Sequence, residues 1–210
     1  MGAQLAQSEL IDISEMNNRF SGVSLWLVPP QKERDALRKV IHDIAEVQHS
    51  DSFEPHITLA SLSFGTSTEG WTDVIAAELR HHAPVLVTFN KVRTGRTFFH
   101  SIFADIQLDE KLFAFKDDLV ASITQGRAPD PKLRPDWYPH ISLFYGAASQ
   151  TEKEGVVKNL EDTGVVRQDE ETCTVAKIQQ FEVNEVWIVR TDGRVKEWEV
   201  LDTVIAPTAA

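Results

Sequence analysis

The sequence predicts an α+β fold built from antiparallel sheets, and three observations carry that prediction. Apolar runs that alternate with a period of two are mixed irregularly with helical repeats, which argues against a doubly wound parallel sheet. Hairpin signals recur, around Gly95 and again at Asp192-Gly193. The pattern Pro-His-Ile-hydroxyl-Leu occurs twice, within EPHITLA (54–60) and YPHISLF (138–144). The two His are 84 residues apart (140 − 56), too far for a solenoid repeat and about right for two halves of one domain.

Residues 1–20 are polar, lack strong periodicity and read as an N-terminal extension; 21–205 form the domain and 206–210 a tail. VSLWLV (23–28) is the first strand. Pro29-Pro30 stops it and leads into a helix, because Pro is tolerated in a first helical turn. Leu37, Val40, Ile41, Ile44 and Val47 then recur at helical spacing. FEPHITLA (53–60) alternates as a strand, Gly65 to Gly70 is a loop, and Trp71, Val74, Ile75 and Leu79 mark a second helix. PVLVTFNKV (84–92) and TFFHSIFADI (97–106) flank a short turn containing Gly95, a predicted hairpin. Asp109 caps a third helix carrying Leu112, Phe115, Leu119, Val120 and Ile123.

GRAPDPKLRPDWYP (126–139), rich in Pro and charge, is a long loop expected at the rim of a site. PHISLFY (139–145) is the strand that echoes the first motif. Ser149 to Glu152 forms a capping box before a helix with Val156, Val157 and Leu160. The chain closes with strands near 174–181, 183–190 and 194–204, the last two joined at Asp192-Gly193.

Composition narrows the function. A formal net charge of −11 repels a long phosphate backbone, so a grip on duplex or long RNA is not expected, whereas a small anion in a locally basic cleft is. The single Cys173 excludes an internal disulfide and multi-cysteine metal sites. Neither a membrane span nor a secretory signal is visible, and Ala6 stands where a myristoylation start wants Ser or Thr. The expectation is a soluble intracellular monomer with no cofactor.

The repeated motif carries the chemistry. A His-x-hydroxyl triplet alone is expected about once by chance in such a chain, but the added Pro, Ile and Leu make duplication informative. On a strand, alternate residues share a face, so His56 and Thr58 point together while Ile57 and Leu59 point into a core. His140 and Ser142 repeat this, with Ile141 and Leu143 behind them. Two imidazoles can serve as general base and general acid near neutral pH. Two hydroxyls can donate to oxygens where negative charge builds up. That set suits in-line attack of water on phosphorus with an alkoxide leaving, and it needs no metal. No His and carboxylate at metal-ligand spacing are noted, so no zinc site is expected.

At these residues the chain resembles the cyclic phosphodiesterases of the two-histidine (2H) phosphoesterase superfamily, in SLWLVPP (24–30), FEPHITL (53–59), VRTGRTFFHSIF (92–103), YPHISLFYG (138–146) and VWIVRTDGRVKEWEVL (186–201). The resemblance implies a bilobal fold of two pseudo-symmetric antiparallel sheets backed by helices, with the active site in the cleft between lobes. It implies metal-independent opening of ADP-ribose 1″,2″-cyclic phosphate and of nucleoside 2′,3′-cyclic phosphates to 2′-phosphates, downstream of tRNA splicing. It suggests that His56 donates the proton and His140 activates water, with Thr58 and Ser142 holding the non-bridging oxygens. Trp26, by default a core residue, is implied beside the cleft. Tyr145 is implied at the phosphate, although strand parity sets it opposite Ser142 unless the chain twists before Gly146.

Further candidates are Glu54 to orient an imidazole, Arg93, Arg96, Lys132 and Arg134 for a basic rim, and Thr94, Phe98 and Phe99 for a pocket lining. His42, His49, His81 and His82 have no hydroxyl partner and receive no role. The competing readings are an RNA-end-processing or ligase-like 2H enzyme, disfavoured by the acidic charge, and a non-catalytic nucleotide-binding module, disfavoured by two intact His.

Overall fold

The computed structural model describes residues 22–63, 66–125 and 137–206. The N-terminal extension, Gly65, the loop through Lys132 and Arg134, and the tail beyond 206 lie outside the described residues. In chain order the elements are β1 (Gly22–Leu27), α1 (Gln31–Gln48), β2 (Ile57–Ser63), α2 (Trp71–His82), β3 (Val85–Thr97), β4 (His100–Ile106), α3 (Glu110–Thr124), β5 (His140–Phe144), α4 (Gln150–Asp162), β6 (Val166–Gln168), β7 (Cys173–Val175), β8 (Gln180–Val183), β9 (Glu185–Arg190) and β10 (Glu199–Ile205).

Two four-stranded sheets form the frame, ordered β10-β9-β1-β2 and β5-β4-β3-β8, and every neighbouring pair in them is antiparallel. The predicted α+β class therefore stands. Each motif strand is an edge of its own sheet, and β2 and β5 lie in contact. The helices pack across: α1 against β5, α2 against β10, α3 against β2 and β3, α4 against β3. Among the described residues no helix is long and apolar enough to cross a membrane.

Burial fixes the register on which the site depends. Ile57 and Leu59 are each 1 % exposed, and burying a side chain of that size contributes about 1.5–3 kcal/mol. A slip of one residue would turn both outward and drive His56 and Thr58 into the core. Ile141 and Leu143, fully buried, hold β5 in the same way. Asp109 caps α3 by accepting from the backbone N–H of Lys111 and Leu112, and Ser149 with Glu152 completes the capping box of α4.

Local signals misplaced several details. Val47 is exposed because α1 buries Arg34, Leu37, Val40, Ile41, Ile44 and Ala45, a stripe that has rotated past it by the last turn. Gly95 is not in the hairpin turn; it lies inside β3, where an added Cβ would stand 1.9 Å from the His100 carbonyl oxygen. The turn is Phe98-Phe99. Asp192-Gly193 bends the chain with Gly193 at φ +75°, but β9 and β10 do pair only after a 3₁₀ turn at Val195–Glu197 held by Glu197 on Arg194. The predicted strand at 174–181 divides into β7 and β8, which Ala176 and Lys177 separate at positive φ. The short strand β6 had no sequence signal of its own.

Candidate active site

β1 and β2 build the first half of the site. Trp26 pairs with Thr58 across the two strands, beside a register shift at Leu25/Trp26. His56 stands immediately before β2, and its ring lies flat on Trp26, centroids 3.6 Å apart and planes 5° from parallel. Its Nδ1 is 2.6 Å from the carbonyl oxygen of Glu54. A carbonyl only accepts, so the proton sits on Nδ1 and Nε2 is left as the nitrogen for proton transfer. The Glu54 carboxylate is gripped by the Arg38 guanidinium, Nε to Oε1 at 2.9 Å and Nη2 to Oε2 at 2.8 Å. Glu54 thus orients His56 through its backbone, while its side chain is anchored to α1. Burial pushes the His56 imidazole down to about 3; the Glu54 bond opposes the shift and the charge of His140 adds to it.

β4 and β5 build the second half by the same rule. His140 places Nδ1 2.9 Å from the carbonyl oxygen of Tyr138, again two residues upstream, and also 3.2 Å from Nε2 of His100. Ser142 Oγ donates to the carbonyl of Phe99 at 3.3 Å. Opposite His140 on β4 stands Asp105, 1 % exposed and ion-paired to Arg93; burial first, and the Asp105 carboxylate second, push the Tyr138 phenol up to about 12. Arg93 therefore does not leave the rim basic; its charge is neutralised by Asp105.

The two halves are tied together. The indole N–H of Trp137 donates to the carbonyl of Thr58 at 2.9 Å, linking the stretch before His140 to the first motif strand. Tyr145 defeats the parity expectation: β5 ends at Phe144, the chain turns, and the phenol comes beside the Ser142 side chain. Gly146 permits this turn, since a Cβ there would overlap the Phe144 ring at 2.2 Å. Tyr145 stacks on Phe53 at 3.8 Å and meets Phe99 at 5.2 Å. Phe99 in turn faces Trp198, and Trp198 meets Trp26 edge-on at 5.7 Å. An aromatic chain thus runs from Trp26 to Tyr145 between the motifs.

The structure brings together His56, Thr58 and Trp26 on one side and His140, Ser142 and Tyr145 on the other, with Phe98 and Phe99 beside Tyr145. Arg96 is exposed, and Thr94 accepts from Gln150 on α4. Sequence reasoning missed His100, Arg38, Phe53 and Trp198. His100 follows directly on the Phe98-Phe99 pair, so a correct placing of the hairpin turn would have found it. Trp198 had no local signal. His82 also has more around it than expected: Nε2 is 3.0 Å from Asp118 and 3.8 Å from Glu78, one helical turn away. Against the expectation from sequence, Glu78 and His82 do stand at metal-ligand spacing, four residues apart on α2. The hydrogen bond between His82 and Asp118 ties α2 to α3, and Ser122 Oγ donates to Glu78.

Comparison with known proteins gives the family and the fold. The family described as cyclic phosphodiesterase-like protein matches residues 21–206. A 2′,3′-cyclic-nucleotide 3′-phosphodiesterase of Kluyveromyces lactis is 26 % identical over 87 % of this chain and 98 % of its own. One of Yarrowia lipolytica with the same name is 24 % identical over 86 % of this chain and 97 % of its own. Among solved structures, E. coli LigT complexed with 3′-AMP shares the fold at a TM-score of 0.53 and 12 % identity, covering 90 % of this chain and 98 % of that one.

Proposed function

The chain belongs to the cyclic phosphodiesterase-like family, and from that premise we propose that it hydrolyses nucleoside 2′,3′-cyclic phosphates to 2′-phosphates, and ADP-ribose 1″,2″-cyclic phosphate to the 1″-phosphate, downstream of tRNA splicing. The observation that carries the reading is the duplicated clamp: each motif His sets Nδ1 within hydrogen-bond distance of the carbonyl two residues upstream and has a hydroxyl two residues downstream. Two rings so fixed present Nε2 for proton transfer. One removes a proton from water as its oxygen bonds phosphorus; the other protonates the 3′ oxygen as its bond to phosphorus breaks. Thr58 donates to a non-bridging oxygen, where charge accumulates, and Ser142 does the same when its hydroxyl turns from the Phe99 carbonyl. Because imidazoles and hydroxyls supply both proton transfer and charge stabilisation, the reaction runs without a divalent ion.

The test is incubation of the full chain with a nucleoside 2′,3′-cyclic phosphate in excess chelator, with the product resolved by phosphorus NMR. Accumulation of the 2′-phosphate supports the reading. No turnover, a 3′-phosphate product, or activity that only a divalent ion restores would overturn it.

A further inference from the structure

Glu78 and His82 stand one helical turn apart on α2, and Asp118 and Ser122 one turn apart on α3, so each pair shares a face and the two faces meet where the helices pack. His82 is the best covered of the ionisable three. Its side chain is 11 % exposed, against 19 % for Glu78 and 58 % for Asp118, and its ring meets Phe115 edge-on at 5.7 Å. Both carboxylates converge on one ring nitrogen. Nε2 is 3.0 Å from Asp118 Oδ2 and 3.8 Å from Glu78 Oε2, and the three ligand atoms all lie within 4.8 Å of one another. That nitrogen carries one proton, and Asp118 takes it at hydrogen-bond distance. Glu78 Oε2 is too far off to share it, while Ser122 Oγ donates to the other oxygen, Oε1, at 2.7 Å. Among the described residues no Lys or Arg lies within ion-pair distance of either carboxylate. Two acids and an imidazole thus face one point with a single proton between them.

We propose that this point is a zinc site that staples α2 to α3, with His82 Nε2, Glu78 and Asp118 as ligands and water in the fourth position. One imidazole with two carboxylates is a donor set that zinc takes, whereas Mg²⁺ and Ca²⁺ favour oxygen alone. Bonds of about 2.0–2.2 Å put neighbouring donors of a tetrahedral zinc roughly 3.3–3.6 Å apart. The separations of 3.0 and 3.8 Å at His82 bracket that range, so small side-chain rotations seat the ion. It takes the place of the Nε2 proton, which leaves to solvent, and it offsets the charge of both carboxylates. Ser122 then supplies the outer hydrogen bond that orients a ligating carboxylate. None of these residues lies on β2 or β5, so the site does not depend on the cyclic phosphate reading, and turnover in chelator is expected to persist.

The experiment is calorimetric titration of the full chain with zinc chloride at neutral pH, with thermal unfolding followed in parallel. One ion per chain is expected, together with a rise in Tm that Mg²⁺ does not reproduce. His82→Gln keeps a donor toward Asp118, and Asp118→Asn keeps an acceptor toward His82, so each preserves the helix contact while removing a ligand. Each should weaken zinc binding about a hundredfold or more, and Ser122→Ala about tenfold. His56→Ala and His140→Ala should bind zinc as the wild type does. A wild type that takes up no zinc overturns the site, as does binding that survives both His82→Gln and Asp118→Asn. An equal response to Mg²⁺ overturns the part given to the imidazole. Binding lost in His140→Ala but kept in His82→Gln would place the ion at the motif imidazoles instead.

Discussion

His56 and His140 are held by the same bond, yet the rest of their surroundings differ. His56 is 5 % exposed, lies flat on Trp26 and is driven to about 3 by burial. His140 is half-buried, touches His100, and neighbours the polar group of Tyr138, Asp105 and Arg93. One pentapeptide has thus been placed in an apolar, aromatic half and in a polar, charged half. The local pattern sets where each ring nitrogen points; the non-local neighbours set how tightly it holds a proton. Acid and base assignments emerge where environments push two like groups apart.

The largest effect expected is from removing either ring. His56→Ala and His140→Ala should each slow turnover of a nucleoside 2′,3′-cyclic phosphate by about two to four orders of magnitude. The double variant should be little worse than either, because the pair acts as a unit. Near-normal turnover by one single variant would show that the matching clamps do not mean matching importance.

The comparison sharpens when the roles are separated. A ring that is neutral in the resting protein, as His56 is, suits accepting a proton, whereas resemblance gives His56 the donor role. The two agree only when the negative charge of the bound cyclic phosphate raises His56 enough to protonate it. A substrate with sulphur as the leaving atom barely needs an acid. On it, His56→Ala should regain about tenfold or more of its lost rate, and His140→Ala should not. Rescue of His140→Ala alone would reverse the roles.

The four motif residues were legible because their geometry is local: strand alternation puts hydroxyl and imidazole on one face, and Ile57, Leu59, Ile141 and Leu143 pin it. What lay hidden was non-local. Tyr145 reaches Ser142 only because the strand ends one residue earlier and Gly146 lets the chain turn over Phe144. Arg38 meets Glu54 across 16 residues, and Trp198 arrives from a 3₁₀ turn where the sequence signalled a tight hairpin. Gly95 was misread because a glycine needed for close approach to the His100 carbonyl looks, in sequence, like one needed for a turn.

The smallest expected effect is on stability, and it isolates the His56 half. The folded protein holds His56 at about 3, against an ordinary value near 6.5. Between these values the unfolded chain binds a proton that the folded one refuses, so stability rises with pH there. The contribution is fully present above about pH 6.5 and is lost as pH falls toward 3. At full strength the slope is about 1.4 kcal/mol per pH unit. The carboxylates held below their usual range, Asp35, Glu152, Asp169 and Glu197, are exposed and titrate at lower pH, so a comparison between pH 7 and pH 5 leaves them out. Thermal unfolding should therefore lose several degrees over that interval in the wild type and less in His56→Asn, which keeps a polar group but cannot titrate. Adding a nucleoside 2′-monophosphate should flatten the wild-type loss, because an anion near the ring favours its charged form. Equal slopes in wild type and His56→Asn would mean that His56 titrates as an ordinary exposed imidazole. The contrast between the two halves would then rest on their neighbours' shape and not on their proton affinity.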